Sequence, residues 1–361
     1  MIFSIGRNAT LISGANLAYL DGELEYFTGD AYRRRWGLSI LKHPFFVVTG
    51  TNPATSVAEA TGCDLQPTPR IYISNHNCVV GIMANWASSP AVLKFGICSE
   101  GTAELVRQLN GTVIAASDPE IAHLIPRVLV HKTSADGATI LAQTRMLGST
   151  QQFSWPYIDV AAELWINRKP AGNGHVSVRM GQKLAFVCQA FPRFRDLLEP
   201  PADSLLEWCE STRLPAGVTH GDFWLGNVIF KDNKISGIFD WEWAQKEGLL
   251  EVDGLHLLLM SLAQASGCHV AYYLRQVWAD ELEDSELFDR ITRLRRHSVL
   301  DRDDLKFVAL VFWFDLLWQR AVLGKMLNPK WADEMILKTL PTITKWLNRH
   351  SKALRSEVIH R

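Results

Sequence analysis

Side-chain type and spacing point to chemistry most clearly at His220-Gly221-Asp222, followed by Asn227 and then by Asp240. Asp222 and Asn227 sit on one loop, close enough in sequence to face the same ligand from two sides. The residues between Asn227 and Asp240 read as a hairpin from Ile229-Phe230 to Ile238-Phe239, turning at Asp232-Asn233, which brings Asp240 back to that loop. Phosphoryl transfer needs such a set. One carboxylate orients the attacking hydroxyl and takes its proton, and oxygen ligands hold magnesium against the phosphates. Magnesium takes hard oxygen donors and few of them from protein. An H-G-D or a D-W-E alone would mean little; the ordered set is specific.

The elements that must hold these residues follow from pattern. RIYIS, CVVGIMANW and AVLKFG from Arg70 onward are short runs rich in β-branched and aromatic residues, parted by turn-like NHN and ASSP, and read as an antiparallel meander. EGTAELVRQLN favours helix and is closed by Asn110-Gly111. PRVLVHK and ATILAQTRM add two strands across Ser134–Gly137. Beyond Gly148 the pattern turns helical, with apolar residues at three- and four-residue spacing in VAAELWI, GQKLAFVCQAF, ADSLLEWCE and the segments after Leu249. The hairpin before Asp240 interrupts that helical stretch.

Composition bounds the class. The chain has 361 residues, 47% of them hydrophobic and 21% charged, as in an ordinary globular protein of two lobes. A net charge of −1 gives no reason to expect a nucleic-acid partner. Six scattered cysteines show no metal-like spacing and read as buried thiols of a reducing compartment. Leu249–Leu262 and Phe307–Leu323 are interrupted by charge and read as buried helices, not spans. The N-terminus lacks the basic-then-apolar order of a signal peptide, so the cytoplasm is the expected location. Thirteen tryptophans point to an aromatic core, with a pocket for a ring-bearing ligand as the alternative.

HGDFWLGNVIF and ISGIFDWEWA, followed by Gly248 and Asp253 in GLLEVDGLHLL, resemble the aminoglycoside phosphotransferase family, which includes choline and fructosamine kinases. The resemblance implies an α+β, bilobal protein-kinase-like fold, with a small antiparallel-sheet N-lobe holding one helix and a larger, mostly helical C-lobe. Residues 1–66 then form an N-terminal extension of unassigned role, residues 67–147 the nucleotide-binding lobe, and residues 148–361 the lobe with the catalytic loop and acceptor cleft. It implies ATP and Mg2+ as cofactors, Asp222 as catalytic base, His220 as a brace of its loop, and Asn227 and Asp240 as metal ligands. Asp253 becomes a structural hydrogen-bonding position, and Glu242 either a metal-side acid or a surface ion-pair residue.

In the N-lobe, Lys94 lies between apolar neighbours on a strand and wants phosphate oxygens and a carboxylate. Glu104 on the next helix is the natural partner, with Glu100 competing. The turn Ser74-Asn75-His76-Asn77 stands where protein kinases carry a glycine-rich loop, so Ser74, Asn75 and Asn77 are expected at the phosphates. By family geometry, backbone groups from Gln143 to Leu147, including Met146, read the adenine edge.

The acceptor is a small-molecule hydroxyl, with a sugar or glycoside as the first expectation and an aminoglycoside-type antibiotic as the alternative. The acidic run from Asp280 to Asp289 would attract a polycation, but a solvated helix face explains it as well. Arg293, Arg295, Arg296 and His297 follow it and offset its charge. Phe223, Trp224, Trp241 and Trp243 crowd the centre, where aromatic faces suit a sugar ring or core packing. A nucleotide-binding pseudokinase is the reading from another class, opposed by the intact Lys94, Asp222, Asn227 and Asp240.

Overall fold

The structure, a computed structural model, describes residues 2–4, 10–12, 17–18, 63–65, 70–73, 79–86, 89–96, 99–133, 139–168, 176–212, 216–281, 290, 302–323 and 329–359. The chain forms two compact units, residues 1–112 with 126–146, and residues 113–125 with 147–361.

A short antiparallel pair, β1 (Ile2–Ser4) and β2 (Thr10–Ile12), stands by itself in the first unit. The main element there is a seven-stranded antiparallel sheet of β3 (Leu17–Ala18), β4 (Cys63–Leu65), β5 (Arg70–Ile73), β6 (Val79–Trp86), β7 (Ser89–Gly96), β8 (Val128–Thr133) and β9 (Thr139–Thr144). Its order is β3-β5-β6-β7-β9-β8, with β4 also paired to β6. The meander and the two later strands lie where the alternation of the sequence puts them. The segment before residue 67 adds β3 and β4 to the same sheet.

Helix α1 (Ser99–Ala116) follows β7 and buries Leu105 against Leu141 of β9. It does not stop at Asn110-Gly111. Gly111 and Thr112 are buried inside the helix, and the Thr112 hydroxyl donates to the Gln108 carbonyl at 2.7 Å. Packing there outweighs the roughly 1 kcal/mol that glycine costs a helix.

The second unit has one continuous apolar core, into which Trp278, Trp313 and Trp346 are sunk. Its helices are α2 (Trp155–Ile166), α3 (Val176–Ala190), α4 (Arg195–Ser211), α5 (Leu250–Ser266), α6 (Val270–Ala279), α7 (Arg302–Val322), α8 (Pro329–Ala332) and α9 (Leu340–Ile359). Helix α4 begins before Pro200 and Pro201, which it carries in its interior, so it is longer than the run ADSLLEWCE that marks it in sequence. Helices α5 and α7 are the two apolar stretches screened as spans, and both are central core helices. No helix among the described residues is long and apolar enough to cross a membrane. Of the described cysteines, Cys188 and Cys209 are buried free thiols, whereas the free Cys268 is exposed.

Two small antiparallel ribbons frame the loop of interest. Strands β11 (Val228–Lys231) and β12 (Lys234–Ile238) form the expected hairpin. Asp232 and Asn233 have φ of 52° and 59°, a turn these two side chains tolerate. A second ribbon pairs β10 (Ala216–Thr219) with β13 (Gln245–Leu249), and the sequence did not announce it. QKEGL is too polar to read as a strand, and β10 supplies the partner that makes it one.

At the start of the unit the chain is stitched to β11. Ser149 and Phe230 exchange backbone hydrogen bonds at 3.0 and 2.9 Å. Gly148 permits this, since its φ is +131° and a Cβ there would lie 2.3 Å from the Phe230 oxygen. Gly148→Ala is expected to lower the free energy of unfolding by about 1–3 kcal/mol in a urea titration. An unchanged midpoint would mean that this close approach is not made in solution.

Candidate active site

The loop that follows β10 starts at His220, whose fully buried ring is held at both nitrogens. Nε2 lies 2.8 Å from the Phe239 carbonyl and donates to it, because Nδ1 accepts from the Asp222 amide at 3.2 Å. Burial lowers the ring's pKa to about 4, so it is neutral. His220 thereby ties the start of the loop to Phe239, the residue before Asp240. Gly221 follows with φ +77°, where a side chain would meet the Trp243 carbonyl at 2.4 Å. Its own carbonyl accepts from Gln319 Nε2 of α7 at 2.7 Å.

Beneath the loop lies Asp253 of α5, fully buried. Its Oδ2 accepts from the His220 amide at 2.6 Å and from Trp165 Nε1 at 2.9 Å, and its Oδ1 accepts from the Gly221 amide at 2.9 Å. Desolvation raises its pKa to about 6, against the lowering effect of those donors and of Arg168. The structural role expected of Asp253 is thus filled by a carboxylate that fixes two consecutive backbone amides.

Asp222 comes next, with its side chain 31% exposed. Asn227, on the 3-10 turn Leu225–Asn227, donates through Nδ2 to the Asp222 carbonyl at 2.8 Å and to Asp222 Oδ2 at 3.0 Å. Both partners are acceptors, so the amide orientation is set and Asn227 Oδ1 remains as the oxygen for a cation. Burial is the main cause of a raised Asp222 pKa of about 7, with Asp240 adding to it and the bonds from Asn227 and Trp224 opposing it.

Asp240 is half-buried with φ +61°, a left-handed conformation costing a non-glycine residue about 1–3 kcal/mol and often found at functional sites. The Phe239 amide donates to the Asn227 carbonyl at 3.1 Å, so the segment ending in Asp240 is bonded to the one ending in Asn227. An amide oxygen and a carboxylate on adjoining segments are hard donors of the kind magnesium takes.

Three of the four central aromatics are core residues: Phe223 stacks on Trp165 at 4.1 Å, Trp241 donates to the Ile238 carbonyl, and Trp243 meets Trp318 edge-on at 5.4 Å. Trp224 is half-buried and bonds Asp222. Glu242 is also half-buried. Around the Gly221 backbone, Lys183 of α3 pairs with Asp315 of α7 at 2.5 Å and donates to Gln245 at 3.1 Å; Arg179 pairs with Glu247 at 3.6 Å. Two residues at this site gave no signal by spacing: Gln319, and His256 within the apolar run LHLLLM. His256 sits one turn after Asp253, fully buried, with Nδ1 3.7 Å from Asp222 Oδ1.

In the first unit, Lys94 Nζ donates to Gln108 Oε1 at 2.7 Å. Glu104 is buried one turn earlier on the same helix face, and Glu100 is exposed in the first turn. Gln143 departs from its expected place at an adenine edge. Its backbone lies between Val92 and Val128 within the sheet, and its buried side chain donates to Thr112 at 3.2 Å. The strand ends at Thr144, and Met146, half-buried, lies beyond it. Ser74, Asn75, His76 and Asn77 fall outside the described residues, as do most of the acidic and basic runs after Glu281. Asp280, at the head of the acidic run, pairs with the buried Lys306 at 2.8 Å.

Asp253→Ala would leave three buried N–H groups without their acceptor. Unfolding in urea is expected to show a loss of about 2–4 kcal/mol. Asn at this position should recover only part of the loss, because its carbonyl oxygen can keep the two donors on Oδ2 while its NH2 cannot accept from the Gly221 amide. A loss below about 0.5 kcal/mol would contradict the clamp.

Residues 161–247 match the model of the phosphotransferase enzyme family, a span that includes the His220–Asp222 loop, Asn227 and Asp240. No curated protein matches the chain in sequence. Among solved structures it is similar to a thermostable mutant of aminoglycoside phosphotransferase APH(4)-Ia in ternary complex with AMP-PNP and hygromycin B. That match has 16% identity and a TM-score of 0.53, covering 81% of this chain and 99% of the other. ADP-bound APH(2'')-Ib gives 13% identity and a TM-score of 0.51, covering 80% and 96%. An APH(2'') enzyme in complex with GDP and kanamycin gives 15% and 0.51, covering 82% and 99%. Residues 161–247 therefore carry the phosphotransferase-family pattern, on a fold shared with the aminoglycoside phosphotransferases.

Proposed function

We propose that this protein is a small-molecule kinase that moves the terminal phosphoryl group of ATP to a hydroxyl, and that its acceptor is an aminoglycoside-type amino sugar. The observation that carries the kinase reading is the grip of Asn227 on Asp222. One amide holds both the carbonyl and Oδ2 of the base, while the partly exposed carboxylate keeps lone pairs that can accept from an incoming hydroxyl. Asp222 orients that hydroxyl and takes its proton as the oxygen attacks phosphorus. A pKa near 7 keeps the carboxylate a competent base at neutral pH. Asn227 and Asp240 would hold magnesium, which when bound neutralises phosphate charge. Lys94, set against Gln108 and near the buried Glu104, is the cation proposed for the nucleotide phosphates.

Support for an amino-sugar acceptor comes from the similar structures that hold hygromycin B and kanamycin. One observation favours a neutral sugar instead. Asp315 and Glu247, the acids beside the Gly221 backbone, are already paired with Lys183 and Arg179. A polycation would find little uncompensated negative charge there.

Thermal-shift titration with ATP and GTP, with and without magnesium, tests the nucleotide site; phosphate transfer to kanamycin, hygromycin B and neutral hexoses tests the acceptor. Stabilisation only with magnesium is expected, as is transfer to an aminoglycoside. Transfer confined to neutral sugars would select the second reading, and no nucleotide effect at millimolar levels would sink the kinase. Asp222→Ala is expected to lose turnover by about 10²-fold or more while still binding Mg-nucleotide. Asp240→Ala should lose turnover and binding together. Normal turnover in both variants would refute the assignment.

A further inference from the structure

His256 is a polar side chain at the loop that the proposed reaction leaves unexplained. It is fully buried, and neither ring nitrogen has a hydrogen-bond partner. An orphaned buried polar group of this kind costs about 1–3 kcal/mol, so an apolar residue would serve packing better. The ring is held edge-on to Phe312 of α7, with centroids 4.5 Å apart. That contact and the helix backbone set where its nitrogens point.

One of them, Nδ1, faces the base. Nδ1 is 3.7 Å from Asp222 Oδ1, whereas Asn227 engages the other oxygen, Oδ2. The gap exceeds a hydrogen bond by about half an ångström, within reach of a small rotation of the aspartate side chain. One turn of α5 thus presents two side chains to the loop: Asp253 takes the backbone amides of His220 and Gly221, and His256 addresses the carboxylate that follows.

We infer that His256 is a positioning residue for Asp222, its Nδ1–H becoming the donor to Oδ1 when the carboxylate turns to meet the acceptor hydroxyl. The inference rests on Asp222 being the base of the proposed reaction. Asn227 and His256 then hold one oxygen each, which confines the carboxylate plane. The proton leaving the hydroxyl stays on Asp222. His256 keeps its own and relays nothing, in keeping with a ring whose pKa burial lowers to about 3.

The test uses the full chain labelled with 15N-histidine, with the His256 ring signals identified by their loss in His256→Phe. An Nδ1–H tautomer is expected, with a ring proton whose shift moves in Asp222→Ala. An Nε2–H tautomer, or an Nδ1 signal indifferent to Asp222→Ala, overturns the inference. In steady-state kinetics with Mg-ATP, His256→Phe should lower kcat by about 10- to 100-fold, with the nucleotide KM within about twofold. Its melting temperature should be no lower than the parent's, and His256→Asn, whose amide can stand in for Nδ1, should restore part of kcat. Parental kcat in a folded His256→Phe also overturns it. The spectra need no turnover, so the two readings fail separately. Coupling without phosphate transfer would sink the kinase, and transfer without coupling would sink the role of His256.

Discussion

A carboxylate with no exposure to water carries the rest of the site. Burying the charge of Asp253 in an apolar helix is costly, and its pKa near 6 shows that desolvation outweighs the donors around it. The charge is tolerable because three N–H groups converge on it, from His220, Gly221 and Trp165, with the cationic Arg168 also favouring it. Two of these are consecutive backbone amides, and holding both fixes the direction in which the chain leaves β10. Gly221 then takes a left-handed turn that a side chain would block, and Asp222 emerges facing Asn227. The position of Asp222 follows from the burial of another acid.

The remaining bonds convert that anchor into a closed frame. His220 reaches Phe239, the Phe239 amide reaches Asn227, and Asn227 reaches back to Asp222. Gln319 of α7 closes the other side on the Gly221 carbonyl. Each neutral bond contributes about 1 kcal/mol net, so their value lies less in stability than in fixed geometry. Catalysis by orientation and electrostatics needs that geometry set before the substrate arrives. The ribbons β10–β13 and β11–β12 serve the same end, since each delivers a loop residue from a paired strand.

Much of this was legible in sequence because it is written in local chemistry. Asp232-Asn233 tolerates positive φ and marks the hairpin, and the order Asp222, Asn227, Asp240 has few other uses. Strands β5 to β9 were legible through their β-branched runs, whereas β3 and β4 were not. What was hidden depended on partners distant in the chain. QKEGL becomes strand only beside β10, and α1 continues past Gly111 only because that glycine is buried. Prolines 200 and 201 sit inside α4 although local chemistry argues for a start there. A linear reading has Gln143 offer its backbone to a ligand, yet that backbone lies between two strands and Thr112 receives its side chain. His256 looked like one more residue of a buried helix, and only the packing of α5 under the loop reveals its neighbour.

Amide hydrogen exchange at His220 and Gly221 tests the anchoring role of Asp253 most directly. If the carboxylate holds both amides, they exchange only through global unfolding, as slowly as the amides in the centre of α5. Exchange at the rate of an open loop, with α5 still protected, would contradict the account, because Asp222 would then rest on a segment that Asp253 does not hold.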